Sequence, residues 1–187
     1  QAEEGQWIFA TNHEYAIRDD GYPALCELYD FEFDDVMTMD SGITYGALKD
    51  GDVSVAMGFA TDGRIAAFDL VNLIDDLQFH PVYNCAPVVR QDILEIYPEL
   101  ADVLNPIAQA LQPEDMQAMN AKVDIDGYTA REVAEEWLQE AGFLEGEAAE
   151  PLGEDVVIVG SKDFTEQLVL GQLAILALEH NGIPTGD

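Results

Sequence analysis

The sequence predicts an α/β protein whose strands are parallel. In the first half, apolar runs at 36–39 and 53–59 flank a helix of about ten residues, and a strand–helix–strand order of this length implies parallel pairing. Near the other end, the apolar run that begins at Val156 leads through a polar turn into a long helix that reaches His180. A strand, turn and helix of this kind usually open a ligand-binding α/β domain, yet this one stands close to the last residue.

The first elements follow from local patterns. Residues 7–10 form a short apolar strand, a helical turn follows it, and a helix then runs through Leu25 and Leu28. Asp19 or Asp20 could cap this helix, because a carboxylate before the first turn accepts a backbone N–H.

A strand–helix–strand unit comes next. The strand at 36–39 leads to a helix through Ile43, Ala47 and Leu48, which Gly51 ends, and the second strand covers 53–59. That strand ends in the polar turn Ala-Thr-Asp-Gly-Arg. Because ligands gather at the carboxyl ends of parallel strands, this turn is a candidate site.

The second half is mainly helical. After an extended segment that contains Pro87, three helices are predicted at 98–110, 113–122 and 129–141. Their inner faces carry Leu100, Val103, Leu104 and Ile107 in the first helix and Val133, Trp137 and Leu138 in the third. Pro113 at a first helical position and Gly142 after the last helix are typical start and stop signals.

Composition excludes some classes of partner. The 187 residues are 48% hydrophobic, which is enough for a globular core, and 38 acidic against 7 basic residues give a net charge of −31. Such a surface repels phosphate, so we expect no nucleic-acid partner. The charge favours a solvated acidic surface, suited to solubility or to a salty habitat, over an acidic binding patch.

Membrane and cysteine signals are weak. No window approaches the ~18 to 20 apolar residues that cross a bilayer, and the first residues do not resemble a signal peptide. Cys26 and Cys85 share no metal-ligand spacing, and two buried free thiols are favoured over a disulfide. Cysteine usage therefore does not identify the compartment.

Catalytic and metal-binding patterns are also weak, so we expect no enzyme activity, no metal and no cofactor. The three histidines are scattered, and the paired aspartates lack calcium-loop spacing. Ser161 and Lys162 are adjacent on a turn, so their side chains point apart and do not make a nucleophile–base pair. The N–H groups of this turn with Lys162 form a candidate carboxylate site, and the alternative is ordinary capping by Ser161 or Asp163.

Specific motifs resemble one known family. Residues 158–182 contain Gly-Ser-Lys-Asp-Phe-Thr-Glu-Gln, residues 14–33 contain Arg-Asp-Asp-Gly-Tyr-Pro-Ala-Leu, and residues 39–65 end in Thr-Asp-Gly-Arg-Ile. With residues 79–105, these stretches resemble the substrate-binding proteins of ABC importers for glycine betaine, choline and carnitine, the ProX/OpuC-like family. The resemblance implies a two-lobe fold of the type II periplasmic-binding-protein class, here as a partial module.

The same resemblance implies a domain organisation. It assigns 1–78 to part of the second lobe, 79–144 to the return segment and C-terminal helices of the first lobe, 145–155 to an acidic linker, and 156–187 to the first strand and helix of the first lobe. Family members begin with the Gly-Ser-Lys turn, so this order implies a tandem parent cut within a module or a rearranged module. Roughly a hundred residues of a family-sized module would then be absent. The last segment could dock on residues 81–144 of its own chain or swap into a second copy as a homodimer.

The resemblance also implies seven ligand-binding residues: Arg18, Phe59, Thr61, Asp62, Tyr83, Lys162 and Gln167. Arg18 and Lys162 would hold a ligand carboxylate, while Phe59 and Tyr83 would be walls of an aromatic cage for a quaternary ammonium. The other three are candidates of second rank. At Phe59 the family commonly has tyrosine, and the alternative for both aromatic residues is core packing. Tyr22 and Trp137 are expected to be packing residues.

These residues imply an extracytoplasmic solute-binding component of an ABC importer for quaternary ammonium solutes, which works by closure of two lobes with no chemical step. Its partners would be the solute and an ABC permease, and the parent protein or its permease would provide membrane association. A sensory ligand-binding domain of the same fold would share the site but be fused to a signalling segment. An enzyme on a bilobal fold would need a catalytic acid, base or cofactor site, which the sequence does not contain.

Overall fold

The computed structural model describes residues 6–81 and 85–186. The chain divides into two compact units, Gln1–Tyr83 and Asn84–Asp187, and each is described by itself. Both contain helices and parallel strands, so the predicted α/β class is confirmed.

The first unit is built around a short parallel sheet. Its elements are β1 (Ile8–Thr11), α1 (His13–Ile17), α2 (Tyr22–Tyr29), β2 (Asp35–Thr38), α3 (Ser41–Asp50), β3 (Val55–Ala56) and α4 (Gly63–Ala67). Strand β1 is central in the order β2-β1-β3, and Phe9 lies opposite Val36 on one side and Val55 on the other. The parallel pairing predicted for this region is confirmed.

An aromatic cluster covers β1. The Phe9 ring stacks on Tyr22 at 5.2 Å and on Phe33 at 5.1 Å between ring centroids. The Phe33 N–H donates to the Tyr22 hydroxyl over 3.2 Å, which ties the segment before β2 to α2. Tyr22 is therefore a packing residue, as predicted.

Two local predictions for this unit were wrong. Within the apolar run 53–59 the strand itself covers only 55–56 and backbone hydrogen bonds to β1 extend no further than 54–57, because β1 ends at Thr11 and leaves no strand beside residues 58 and 59. Helix α2 is preceded by Gly21 and not by an aspartate cap, since a Cβ at Gly21 would lie 2.3 Å from the Tyr15 carbonyl oxygen. The helix predicted through Ile43, Ala47 and Leu48 and ended by Gly51 is confirmed as α3, and its buried residues are Thr44 and Tyr45.

A polar cluster around Asp75 lies near the end of the first unit. The Asp75 carboxylate accepts hydrogen bonds from the Tyr29 hydroxyl (2.5 Å) and from the Phe79 (2.9 Å) and His80 (2.8 Å) N–H groups. The His80 ring lies between this carboxylate (3.3 Å) and the hydroxyl of buried Tyr15 (3.0 Å). Residues 75–80 are thus held against α1 and α2.

The second unit is a helical layer with a two-stranded sheet. Its elements are α5 (Gln91–Ile96), α6 (Leu100–Ala110), α7 (Pro113–Asp124), α8 (Ala130–Glu140), β4 (Val157–Ile158), α9 (Thr165–His180) and β5 (Thr185–Gly186). The three helices predicted in the middle of the chain are confirmed, with Pro113 in the first turn of α7 and Thr129 as the cap of α8. Helix α5 and strand β5 were not predicted from the sequence.

Helix α9 supplies the centre of this unit. Val169 and Leu173 on α9 are 0% and 2% exposed, and they pack in one cluster with Val133 and Leu138 of α8 and Ile107 of α6. The predicted inner faces of α6 and α8 are thus confirmed. The last segment docks on its own chain in this structure, which is one of the two arrangements that the sequence left open.

The acidic segment 145–155 has no helix or strand but is tied to the unit. The Ala149 N–H donates to His180 and the Leu152 N–H donates to Gly182, over 2.9 and 2.7 Å. The Tyr97 hydroxyl donates to the Asp155 carbonyl over 2.7 Å. Gly182 has a φ of +80°, and a Cβ there would lie 2.4 Å from a segment carbonyl oxygen, so glycine is required at this crossing.

Two further sequence expectations can be compared with the structure. Among the residues that it describes, no helix is long and apolar enough to cross a membrane. Cys26 and Cys85 are free thiols, as expected, but Cys26 is only half-buried and Cys85 is exposed, so the prediction of two buried thiols was wrong.

We expect Leu173→Ala to destabilise the second unit by about 2–5 kcal/mol, because it leaves a cavity at the centre of the α9 contact. Leu168→Ala is the matched control: Leu168 lies on the same helix but is 42% exposed, and we expect a smaller loss. Urea unfolding followed by Trp137 fluorescence in a Trp7→Phe background measures both. Equal losses would contradict the α9 packing, and a midpoint that depends on protein concentration would indicate a swapped dimer.

We expect Asp75 to stabilise the first unit above pH 4 and to lose this contribution as the pH falls towards 2. The Tyr29 hydroxyl and the backbone N–H groups of the cluster lower the pKa of Asp75 from 3.8 to about 2. A depressed carboxyl pKa gives stability that is present above the unfolded-state value and lost as the pH falls through the folded-state value. In unfolding at pH 5, 3 and 2, Asp75→Asn should flatten this loss, and Asp76→Asn should leave it unchanged. The same slope in both variants would refute the assignment.

Candidate functional site

The turn predicted as a candidate site lies at the carboxyl edge of the first-unit sheet. The Met57 N–H donates to Ala10 of β1 over 2.8 Å, and the Thr11 hydroxyl donates to the Met57 sulfur over 3.3 Å. After Met57 the chain leaves the sheet and forms the turn 58–62, which carries Phe59, Thr61 and Asp62. Three of the predicted ligand-binding residues therefore lie together on one turn.

Phe59 is exposed on this turn. Its ring is 61% exposed, so the alternative that Phe59 packs in the core is wrong. Its backbone is fixed at both ends: the Phe59 N–H donates to the Tyr45 hydroxyl over 2.7 Å, and its carbonyl accepts from the Asp62 N–H over 3.0 Å. A rigid backbone here holds an aromatic face in solvent.

Asp62 is engaged by Arg64. The two oxygens of the carboxylate accept Nε and Nη2 of Arg64 over 2.8 and 2.6 Å, and one of them also caps α4 by accepting the Arg64 N–H over 3.0 Å. Burial alone would raise the pKa of Asp62, but the hydrogen bonds and charge of Arg64 outweigh burial and lower it. Asp62 is therefore an ionised, bidentate partner that shapes the turn.

Tyr45 lies beneath this pair and was not identified from the sequence. The residue is 3% exposed, and the Arg64 guanidinium lies 4.2 Å above its ring centroid. Burial raises the pKa of Tyr45 to about 12. Arg64 Nη1 donates to the Gly42 carbonyl over 2.8 Å, which ties the turn to α3 a second time.

The signal for this network was partly present in the sequence. An aspartate followed two residues later by arginine at the start of a helix is a recognisable cap with a neighbouring cation. The contact of Tyr45 with Arg64 and with the turn depends on how α3 packs on the sheet, and the sequence alone does not predict this packing.

Arg18 is the C-cap residue of α1, and its guanidinium forms ion pairs with two carboxylates. Its side chain is 48% exposed, its Nε lies 2.5 Å from Asp20, and Nη1 lies 3.5 Å from Glu14. The Asp20 hydrogen bond is the main cause of a raised pKa at Arg18. A ligand carboxylate at Arg18 would compete with Asp20.

Lys162 and Gln167 belong to the second unit. Lys162 is exposed on the turn before α9, and Gln167 is half-buried in the first turn of that helix. The helix has Phe164 at its N-cap without a side-chain hydrogen bond, so the alternative in which Ser161 or Asp163 caps it is wrong. Tyr83 lies outside the described residues, and no contact of it is stated.

An open pocket of about 350 Å³ lies beside the same turn in the second unit. Its polar lining includes Ser161, Gln172 and Arg131, and the Arg131 guanidinium donates to Gln172 and Glu179 over 3.3 and 3.2 Å. None of the predicted ligand-binding residues lines it. Within residues 6–81 and 85–186, no cluster of three or more potential metal ligands is found.

Comparisons with known proteins agree with these features. The family model described as the substrate binding domain of ABC-type glycine betaine transport systems matches residues 1–140. The glycine-betaine-binding protein of Pseudomonas aeruginosa is 41% identical over 148 residues, which are 78% of this chain and 48% of that protein. The carnitine transport binding protein OpuCC of Listeria monocytogenes is 37% identical over 127 residues, which are 68% of this chain and 41% of that protein.

A solved structure, described as the crystal structure of a glycine betaine/carnitine/choline ABC transporter, superimposes with a TM-score of 0.70 and 35% identity. The superposition covers 73% of this chain and 50% of that chain, and it confirms the expected partial fold of the periplasmic-binding-protein type. This chain spans about half the length of the curated relatives that it matches. It belongs to the family of substrate-binding domains of ABC-type glycine betaine transport systems.

Proposed function

We propose that this chain is part of the solute-binding component of an ABC importer for quaternary ammonium compatible solutes, such as glycine betaine, choline or carnitine. The observation that carries the proposal is the exposed aromatic ring of Phe59 on a fixed turn, at the position where the family resemblance expects a cage wall. Membership of the family supports the same class of ligand.

The chemistry of the ligand explains these residue types. A quaternary ammonium has no N–H to donate, so aromatic faces hold it by cation–π attraction of ~0.5 to 2 kcal/mol each. A phenyl ring provides such a face without a hydroxyl. Phe59 is one wall in this proposal, and Tyr83 is a second.

The carboxylate of a zwitterionic solute needs cationic or N–H donors. We assign this role to Arg18 and to Lys162, whose turn precedes a helix without a side-chain cap. Gln167 and Thr61 stay secondary candidates. Asp62 is engaged by Arg64, and we assign to it the support of the turn and not ligand contact.

Transport by this component involves no chemical step. We propose that two lobes close around the solute outside the membrane and deliver it to an ABC permease, with membrane association through the parent protein or that permease. The lobe assignment of 1–78, 79–144 and 156–187 is part of this proposal. The proposal takes the single-chain arrangement, in which α9 packs on α6, α7 and α8 of its own chain.

For the 187-residue chain alone we expect millimolar affinity for glycine betaine or none. Two aromatic walls and one or two cations do not offset the several kcal/mol lost on association. Titration calorimetry, with NMR titration for the millimolar range, measures this. Micromolar binding would contradict the account, because it would require a complete site within this chain or a dimer of it.

We expect Arg18→Ala to abolish residual binding of glycine betaine and to leave choline, which has no carboxylate, unaffected. Arg90→Ala is the matched control, since Arg90 pairs with Asp92 at the same spacing as Arg18 with Asp20. Equal effects of the two variants, or an equal effect of Arg18→Ala on both solutes, would remove Arg18 from the carboxylate role.

A further inference from the structure

We propose that Tyr45 is a positioning residue for the solute site: its buried hydroxyl holds the backbone of Phe59 and so presents the exposed Phe59 ring to the quaternary ammonium. The inference rests on the proposed function, because it assigns to Tyr45 an effect that acts through a cage wall. Tyr45 itself does not contact the solute.

The geometry around the Tyr45 hydroxyl carries the proposal. The hydroxyl accepts the Phe59 N–H over 2.7 Å, and the Phe59 carbonyl accepts the Asp62 N–H over 3.0 Å, so the turn 58–62 is attached to α3 through the backbone of Phe59. The turn approaches so closely that a Cβ at Gly58 would lie 2.8 Å from this hydroxyl. Only glycine at 58 lets the backbone reach Tyr45.

Arg64 fixes the ring that carries the hydroxyl. Its guanidinium lies 4.2 Å from the Tyr45 ring centroid, while its nitrogens donate to Asp62 and to the Gly42 carbonyl. Arg64 therefore links Asp62 on the turn to Tyr45 and Gly42, which both belong to α3. We call this arrangement of Tyr45, Asp62 and Arg64 the brace. The ring face of Phe59 is outside this brace and 61% exposed, so the brace holds the backbone and leaves the aromatic face available.

Pre-organisation is the physical reason for such an arrangement. A side chain that is ordered before binding loses less conformational entropy when the ligand arrives. A cage wall contributes little by itself, so ordering costs decide whether it contributes at all. Removing the brace should therefore weaken cation binding although no ligand contact is lost.

The test uses Tyr45→Phe, which keeps the ring over which Arg64 lies and removes only the hydroxyl. Hydrogen exchange of the Phe59 amide should become about three- to tenfold faster, as expected for the loss of one hydrogen bond. Tyr22→Phe is the matched control: Tyr22 also accepts a backbone N–H, that of Phe33, in the same unit. It should speed exchange at Phe33 and leave Phe59 unchanged.

The second readout is binding of tetramethylammonium chloride, titrated by NMR on the full chain against equal concentrations of sodium chloride. Tyr45→Phe should weaken binding about three- to tenfold in the wild-type background and have no further effect in Phe59→Ala, because a residue that acts through another is not additive with it. A purely structural role would give the same loss in both backgrounds.

The outcomes separate two failures. If Phe59 exchange is unchanged in Tyr45→Phe, or if its binding loss persists in Phe59→Ala, the positioning role is overturned while the proposed function stands. If wild type does not bind tetramethylammonium, or if Phe59→Ala binds it as well as wild type does, Phe59 is not a working cage wall in this chain, and the site assignment fails together with the positioning role.

Discussion

The burial of α9 between α6, α7 and α8 is the contact on which the second unit depends. The inner faces of α6 and α8 are apolar, and each would face water if α9 did not cover them. Val169, Leu173 and Ala177 on α9 are almost completely excluded from solvent, and they meet Val133 and Leu138 across the interface. The second unit therefore depends on the docking of α9 on these three helices, although α9 follows all of them in the chain.

The segment 145–155 makes that placement possible. It contains no regular element, yet hydrogen bonds join it to the end of α9, to Gly182 and to Tyr97. From its sequence, an acidic stretch that contains proline and glycine predicts only a linker. Its hydrogen-bond partners lie far away in the sequence, so composition cannot predict that the segment is hydrogen-bonded to the second unit.

Sequence patterns identified the elements well where the signal is local. The periodicity of α6 and α8, Pro113 at the start of α7 and the parallel pairing around β1 were all predicted. The failures are tertiary: the strand predicted at 53–59 is cut short where its neighbour β1 ends, and Gly21 replaces an aspartate cap because a carbonyl oxygen crowds it. For the site, the family motifs indicated the turn 58–62, but the residues that brace it belong to packing that a motif does not describe.

The exposure of Phe59 has a consequence for how this family can diversify. A ring that stands mostly in water adds little to the free energy of folding, and its turn is held by Tyr45, Asp62 and Arg64 and not by the ring. Exchange of this side chain for tyrosine or another aromatic residue is therefore nearly neutral for stability. In the proposed role of Phe59 as a cage wall, solute preference could therefore change through a single substitution here, without a compensating change in the sheet or helices that carry the turn.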